Sequence, residues 1–119
     1  MKIHSNSTLL MTGDSITDRE RVRPVAEAVS WDLGNGYVAL IHALLGATCP
    51  RQNIRIRNIG ISGNTARDLA ARWQSKVLDL KPDWLSIMFG INDVWRQLDA
   101  PLQTERHVPL DDMPPFWSN

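Results

Sequence analysis

The sequence predicts an α/β protein in which a parallel sheet is wrapped by helices. Three observations carry that prediction. Short apolar runs alternate with segments of helical period. Each run leads directly into glycine-containing turn sequence. The 119 residues, 43% hydrophobic and 22% charged, have the usage of one ordinary globular domain.

Taken in order, Thr8 to Thr12 is expected as the first strand, built on Leu9-Leu10-Met11. The stretch from Asp18 to Asn35 carries Arg19, Arg21, Arg23 and Pro24 and reads as a long loop over that strand's end. Gly36 to Leu45 reads as a helix, and Ile54 to Ile59 as the second strand. Thr65 to Leu80 is a clearer helix, because Leu69, Trp73, Val77 and Leu80 recur at steps of three and four and make a stripe that should face the sheet. Pro82 stops it just before the third strand, Trp84 to Phe89, whose Leu85-Ser86-Ile87-Met88-Phe89 reads as central and apolar. Leu110-Asp111-Asp112 then resembles the start of a helix with an acidic first turn. Pro114, Pro115, Phe116 and Trp117 break that pattern, so residues 1–110 read as the domain and 111–119 as an aberrant tail.

Thirteen basic and thirteen acidic side chains cancel, which argues against nucleic acid or an anionic membrane as a partner. No run approaches the roughly 20 apolar residues of a spanning helix, and the first residues lack a secretory pattern, so a cytoplasmic location is expected. Cys49, the single cysteine, has no disulfide or metal-ligand partner and reads as a buried or loop thiol. No metal or organic cofactor is implied.

Every glycine turn falls at the carboxyl end of a predicted strand, where open α/β sheets place their ligands. The first is Gly13-Asp14-Ser15-Ile16, the second Ser62-Gly63-Asn64-Thr65, the third Gly90-Ile91-Asn92-Asp93. A serine hydroxyl becomes a useful nucleophile only when exposed on a rigid turn beside a base. Ser15 meets the placement, with Gly13 allowing a sharp turn and Asp14 holding it through local hydrogen bonds. Taken alone, the tripeptide reads rather as an ordinary strand-to-helix turn with Ser15 or Thr17 as N-cap. Gly63 offers an unshielded backbone N–H and Asn92 an amide, the donor types a tetrahedral oxyanion needs; each alone is also a plain turn residue. Ser62 is not a nucleophile elbow, since Gly-x-Ser-x-Gly requires glycine where Asn64 stands.

In this order the three motifs resemble the SGNH, or GDSL-type, esterase and lipase family. The resemblance implies a flavodoxin-like three-layer fold with five parallel strands, of which this chain supplies about three, the C-terminal strands being missing. It implies hydrolysis of a small-molecule ester through Ser15, with Gly63 and Asn92 completing the oxyanion hole. Gly13, Asp14 and Gly90 support the turns, and Asp93 either orients the Asn92 turn or is a solvated surface carboxylate. Val94-Trp95-Arg96-Gln97 and the proline-containing segment to Pro109 resemble the loop bordering the substrate pocket, so Trp95 is a candidate substrate contact beside a plain packing role. Short-chain acyl or carbohydrate acetyl esters are the expected substrates.

The family's fourth block, Asp-x-x-His, is absent from the sequence. Of the three histidines, His4 precedes the first strand, His42 sits in a predicted helix, and His107 alone could approach Ser15 as a surrogate base. Loss of a triad histidine costs on the order of 10⁶ in turnover. Oxyanion and binding contributions leave about 10³ to 10⁴ over water. The expectation is therefore a truncated esterase, weak or inactive alone, whose bare third-strand edge invites edge-to-edge pairing or aggregation. The alternative is a non-catalytic, flavodoxin-like module that keeps the pocket without the base.

Overall fold

The computed structural model describes residues 2–27, 29, 31–109 and 111. Three parallel strands, β1 (Thr8–Gly13), β2 (Arg55–Asn58) and β3 (Trp84–Met88), form a sheet in the order β2-β1-β3. Register places Leu10 opposite Arg57 on one side and Leu85 on the other. The helices are α1 (Ser15–Asp18), α2 (Tyr37–Thr48), α3 (Ala66–Ala71) and α4 (Ile91–Asp99). Strand pairing outlasts β2, since the Ile59 N–H donates to Met11 at 2.9 Å and the Ile61 N–H to Gly13 at 3.0 Å.

Side chains of a strand alternate between faces, and the core divides accordingly. Met11 packs with Ala26, Leu33, Val38 and Ile56 beneath α2. Leu10 packs on the other face with Ile59, Leu69 and Val77, against Trp73 and Leu80. Each of these buried Val, Leu, Ile and Met side chains contributes about 1.5–3 kcal/mol.

The stripe of Leu69, Trp73, Val77 and Leu80 faces the sheet as expected, but one continuous helix from Thr65 to Leu80 does not form. It divides into α3, a π-helical turn at Trp73–Val77 and a 3₁₀ turn at Leu78–Leu80. The cause lies in the spacing. Two successive steps of four drift around a helix of 3.6 residues per turn, and a wider turn returns both side chains to the sheet. The segment after the third motif is a second correction: Val94 to Gln97 is not loop but the middle of α4. Helix α2 runs three residues past the predicted Leu45, and the 18–35 loop is pinned by a bridge between Ala26 and Asn58. The expected helix start at Leu110 and the tail beyond Asp111 lie outside the described residues. Among the described residues no helix is long and apolar enough to cross a membrane.

Candidate functional site

All three glycine turns lie at the carboxyl end of the sheet. Strand β1 ends at Gly13 and α1 starts at Ser15, whose side chain is exposed while Asp14 is buried. Asp14 is the N-cap: its Oδ1 accepts from the Ile16 N–H at 3.0 Å, and its carbonyl accepts from Asp18 at 2.9 Å. Gly13 corrects one expectation, because its φ is not among the positive values that would mark a sharp glycine turn. Its need is space. A Cβ there would sit 2.1 Å from the Met88 carbonyl oxygen and 2.3 Å from Thr17 Oγ1, so only glycine lets β3 approach.

The second turn is fastened to the first by polar groups the sequence analysis did not single out. Asn58, fully buried at the end of β2, donates from Nδ2 to the carbonyls of Thr17 (2.6 Å) and Leu33 (2.9 Å) and accepts from the Gly60 N–H (2.9 Å). Asp18 Oδ2 accepts from the Ser62 N–H at 2.8 Å and pairs with Arg23 at 2.6 Å. Burial works to raise the Asp18 pKa, but the Arg23 hydrogen bond, the Ser62 N–H and the Arg23 charge outweigh it, and the carboxyl is held below its ordinary value. Gly63 follows at φ +82°, a left-handed conformation that favours glycine. Thr65 and Asp68 then form a capping box that starts α3. Arg72 braces the arrangement, donating to Asn64 Oδ1 (2.9 Å), the Ile59 carbonyl (3.0 Å) and Thr12 Oγ1 (3.2 Å).

The third turn is set by Gly90 at φ +131°, which caps α4. Asn92, in the first turn of α4, donates from Nδ2 to the Asn64 carbonyl at 3.0 Å, beside Gly63. A primary amide has two N–H donors, so one remains for a ligand. Asp93 is buried rather than solvated: its Oδ1 accepts from the Ala66 N–H at 2.9 Å, and Oδ2 has no partner among the described residues. Burial is the main reason its pKa is raised; the Ala66 hydrogen bond opposes this, and the charges of Asp68 and Asp14 add to it.

Asn92 and Arg96 stand four apart and share a face of α4. Arg96 Nη2 lies 3.3 Å from where a Gly63 Cβ would be, while Nη1 holds Asp99 at 2.8 Å. A cavity of about 260 Å³ opens there, lined by Gly63, Thr65, Arg67, Asp68, Arg96 and Glu105 among others. Trp95 is not among its lining residues; its ring projects half-exposed from α4, so neither a place in this cavity nor a buried packing role describes it.

The structure thus brings the Gly63 and Asn92 turns into direct contact and ties the Ser15 turn to them through Asp18 and the β1–β2 pairing. It does not bring His107 to Ser15. His107 Nε2 lies 3.2 Å from the Ala100 carbonyl, at the end of α4 remote from Asn92. His4 precedes β1, at the other end of that strand from Ser15, and His42 lies within α2. Among the described residues no group of His, Cys, Asp and Glu is arranged to hold a metal ion. Asn58 had no local signal in the sequence: it stands between Arg57 and Ile59, and its partners Leu33 and Thr17 lie 25 and 41 residues away. Asp18 and Arg72 had none for the contacts that join the turns, because Ser62 and Thr12 lie 44 and 60 residues from them.

A profile of the GDSL-like Lipase/Acylhydrolase family matches residues 11–113. An acetylxylan esterase from Geobacillus stearothermophilus is 57% identical over 112 residues, which are 94% of this chain and 51% of that protein. A crystal structure of that esterase superposes with a TM-score of 0.91 over 95% of this chain and 52% of its own. LAE5, described as an alpha/beta hydrolase enzyme from the metagenome of Lake Arreo in Spain, superposes with a TM-score of 0.88 at 50% identity, over 92% of this chain and 51% of its own. The chain spans about half the length of these relatives. With three glycine turns at the ends of three parallel strands and a profile match over most of its length, the chain belongs to the GDSL-like lipase/acylhydrolase, or SGNH hydrolase, family.

Proposed function

We propose that this chain carries the nucleophile and oxyanion-hole part of a serine esterase site acting on acetyl esters of small alcohols or carbohydrates. Ser15 Oγ attacks the ester carbonyl carbon. The oxyanion accepts hydrogen bonds from the N–H groups of Ser15 and Gly63 and from the free donor of Asn92 Nδ2. Collapse expels the alcohol, which takes up the proton that Ser15 Oγ gave up on attack, and leaves the acetyl group on Ser15; water then releases acetate and restores the Ser15 hydroxyl proton. Asp14 fixes the Ser15 turn, Asp93 fixes α4 against α3, and Gly13 and Gly90 allow the backbone to do both.

The observation that carries this reading is the hydrogen bond from Asn92 to the Asn64 carbonyl, which sets a side-chain amide beside the Gly63 N–H. The preference for acetyl esters of polar alcohols is supported by the charged lining of the cavity at Gly63 and by the activity named for the acetylxylan esterase relative. Variants of that esterase replacing a serine, an aspartate or a histidine are described as catalytic mutants, and its aspartate and histidine stand three positions apart. No such Asp-x-x-His pair occurs here.

The placement of His4, His42 and His107 favours a second reading, a cleft that binds esters without turning them over. Hydrolysis of p-nitrophenyl acetate by the gel-filtered chain, beside Ser15→Ala, separates the two. A rate that falls to background in Ser15→Ala establishes the nucleophile. Equal rates would sink turnover by this chain and leave the binding module.

A further inference from the structure

Away from the Ser15 turn, a cavity of about 460 Å³ lies between the 21–25 segment, the end of β2 and the π-helical turn. That volume is within the roughly 300–1,000 Å³ of small-molecule sites. Its apolar wall is formed by Val25, Ile59, Ile61 and Leu80, and it contains none of Ser15, Gly63 and Asn92. Its charged lining is of one sign: Arg21, Arg23, Arg72 and Lys76, with no acidic residue. Like charges gathered around one apolar cavity repel one another and lose hydration.

Arg21 shows the imbalance most clearly. It is buried, and the hydrogen bonds of its guanidinium go to the carbonyls of Gly60 (2.7 Å), Val22 (3.1 Å) and Pro24 (2.8 Å), none of which carries a countercharge. Burial first, then the charge of Arg23, lower its pKa to about 10; Asp18 opposes them, and Arg72 adds a smaller lowering. Asp18 neutralises Arg23, its Oδ2 being shared between Arg23 and the Ser62 N–H, which leaves Arg21, Arg72 and Lys76 without a carboxylate in ion-pair contact among the described residues. Asp68 acts on Arg72, against the larger effect of burial.

We propose that this cavity is a binding site for a small organic carboxylate with an apolar body, the carboxylate facing the Arg21–Arg72–Lys76 group and the body lying on Val25, Ile59, Ile61 and Leu80. An anion there neutralises a cluster that the chain leaves positive, and the apolar wall sets a preference for an aliphatic tail over an inorganic anion. Because Arg72 also holds Asn64 and Thr12, an occupant would bear on the brace behind the Gly63 turn. The site is independent of the esterase reading and stands or falls separately from it.

The test is a titration of the chain with hexanoate, followed by amide proton–nitrogen NMR shifts, beside the neutral isostere hexanamide. Saturable shifts centred on Val25, Ile61 and Ser75 are expected. Lys76→Glu, an exposed position, should weaken hexanoate about fivefold or more. Ser75→Trp should abolish binding by filling the cavity. No saturation, equal binding of hexanamide, or hexanoate binding unchanged in both variants would each overturn the proposal. Activity toward p-nitrophenyl acetate plays no part in the outcome.

Discussion

The two flanks of β1 are held by different physics. On the β2 side, Asn58, Asp18 and Arg21 are buried and engaged in hydrogen bonds, and apolar side chains fill the gaps between them. On the β3 side the arrangement is inverted. Helix α4 turns its polar face, Asn92, Asp93 and Arg96, toward the site and presents Ile91, Val94, Trp95 and Leu98 at steps of three and four to the outside, each more than half exposed. Ile87 and Met88 of β3 are exposed beside it, and β3 pairs with β1 alone among the described strands. One flank is therefore stabilised by a network of hydrogen-bonded buried polar groups, in which Asp18 Oδ1 alone of the Asp18 oxygens has no partner among the described residues, and the other by a few hydrogen bonds at the start of a helix. Substitutions should act differently on the two.

The largest effect belongs to Asn58. Asn58→Ala leaves the Thr17 and Leu33 carbonyls and the Gly60 N–H buried without partners, which should lower stability by about 4 kcal/mol in urea unfolding. A loss below about 1 kcal/mol would erase the difference between the flanks. Gly13→Ala comes next, at about 3 kcal/mol. The added methyl meets the Met88 carbonyl and pushes β3 from β1, so amide exchange should accelerate in β3 before β2. Equal acceleration in both strands would contradict the crowding argument.

The carboxylates sharpen the contrast through pH. Asp18, on the β2 side, has a folded pKa below its unfolded value, so its contribution is present above the ordinary carboxylate pKa and lost as pH falls through the depressed one. Asp93, on the β3 side, has a raised pKa, so its favourable contribution is complete at acid pH and lost as pH rises through the folded value. Asp18→Asn should therefore destabilise more at pH 7 than at pH 3. Asp93→Asn should be least harmful, or stabilising, at pH 7 relative to pH 3. Thermal melts at the two pH values check both signs, and parallel behaviour of the two variants would refute the assignment.

What was legible in the sequence follows the same division. The strands, helix α2, the sheet-facing stripe of 65–80 though not its division into three turns, and the position of Ser15, Gly63 and Asn92 after strands could be read, because apolar period and glycine are local signals. Helix α4 was misread as loop, since its apolar stripe of Ile91, Val94, Trp95 and Leu98 follows glycine and ends near Pro101. The burial of Asp93 was not legible either, because the Ala66 N–H that its carboxylate accepts from, at the start of α3, lies 27 residues away. The role of Gly13 was misjudged for a related reason: the carbonyl that excludes a side chain there belongs to Met88, far along the chain.

The smallest expected effect tests the exposed flank directly. Leu98→Ser removes an apolar side chain that is about two-thirds exposed, so stability should change by no more than about 0.5 kcal/mol. If the stripe it belongs to mediates self-association, the sedimentation coefficient should fall toward that of a monomer while the urea midpoint stays put. A midpoint that drops as far as it does for a buried leucine such as Leu69 would mean that α4 is held by apolar burial after all. The hydrogen bonds of Asn92 and Asp93 would then be a consequence of its position and not its cause.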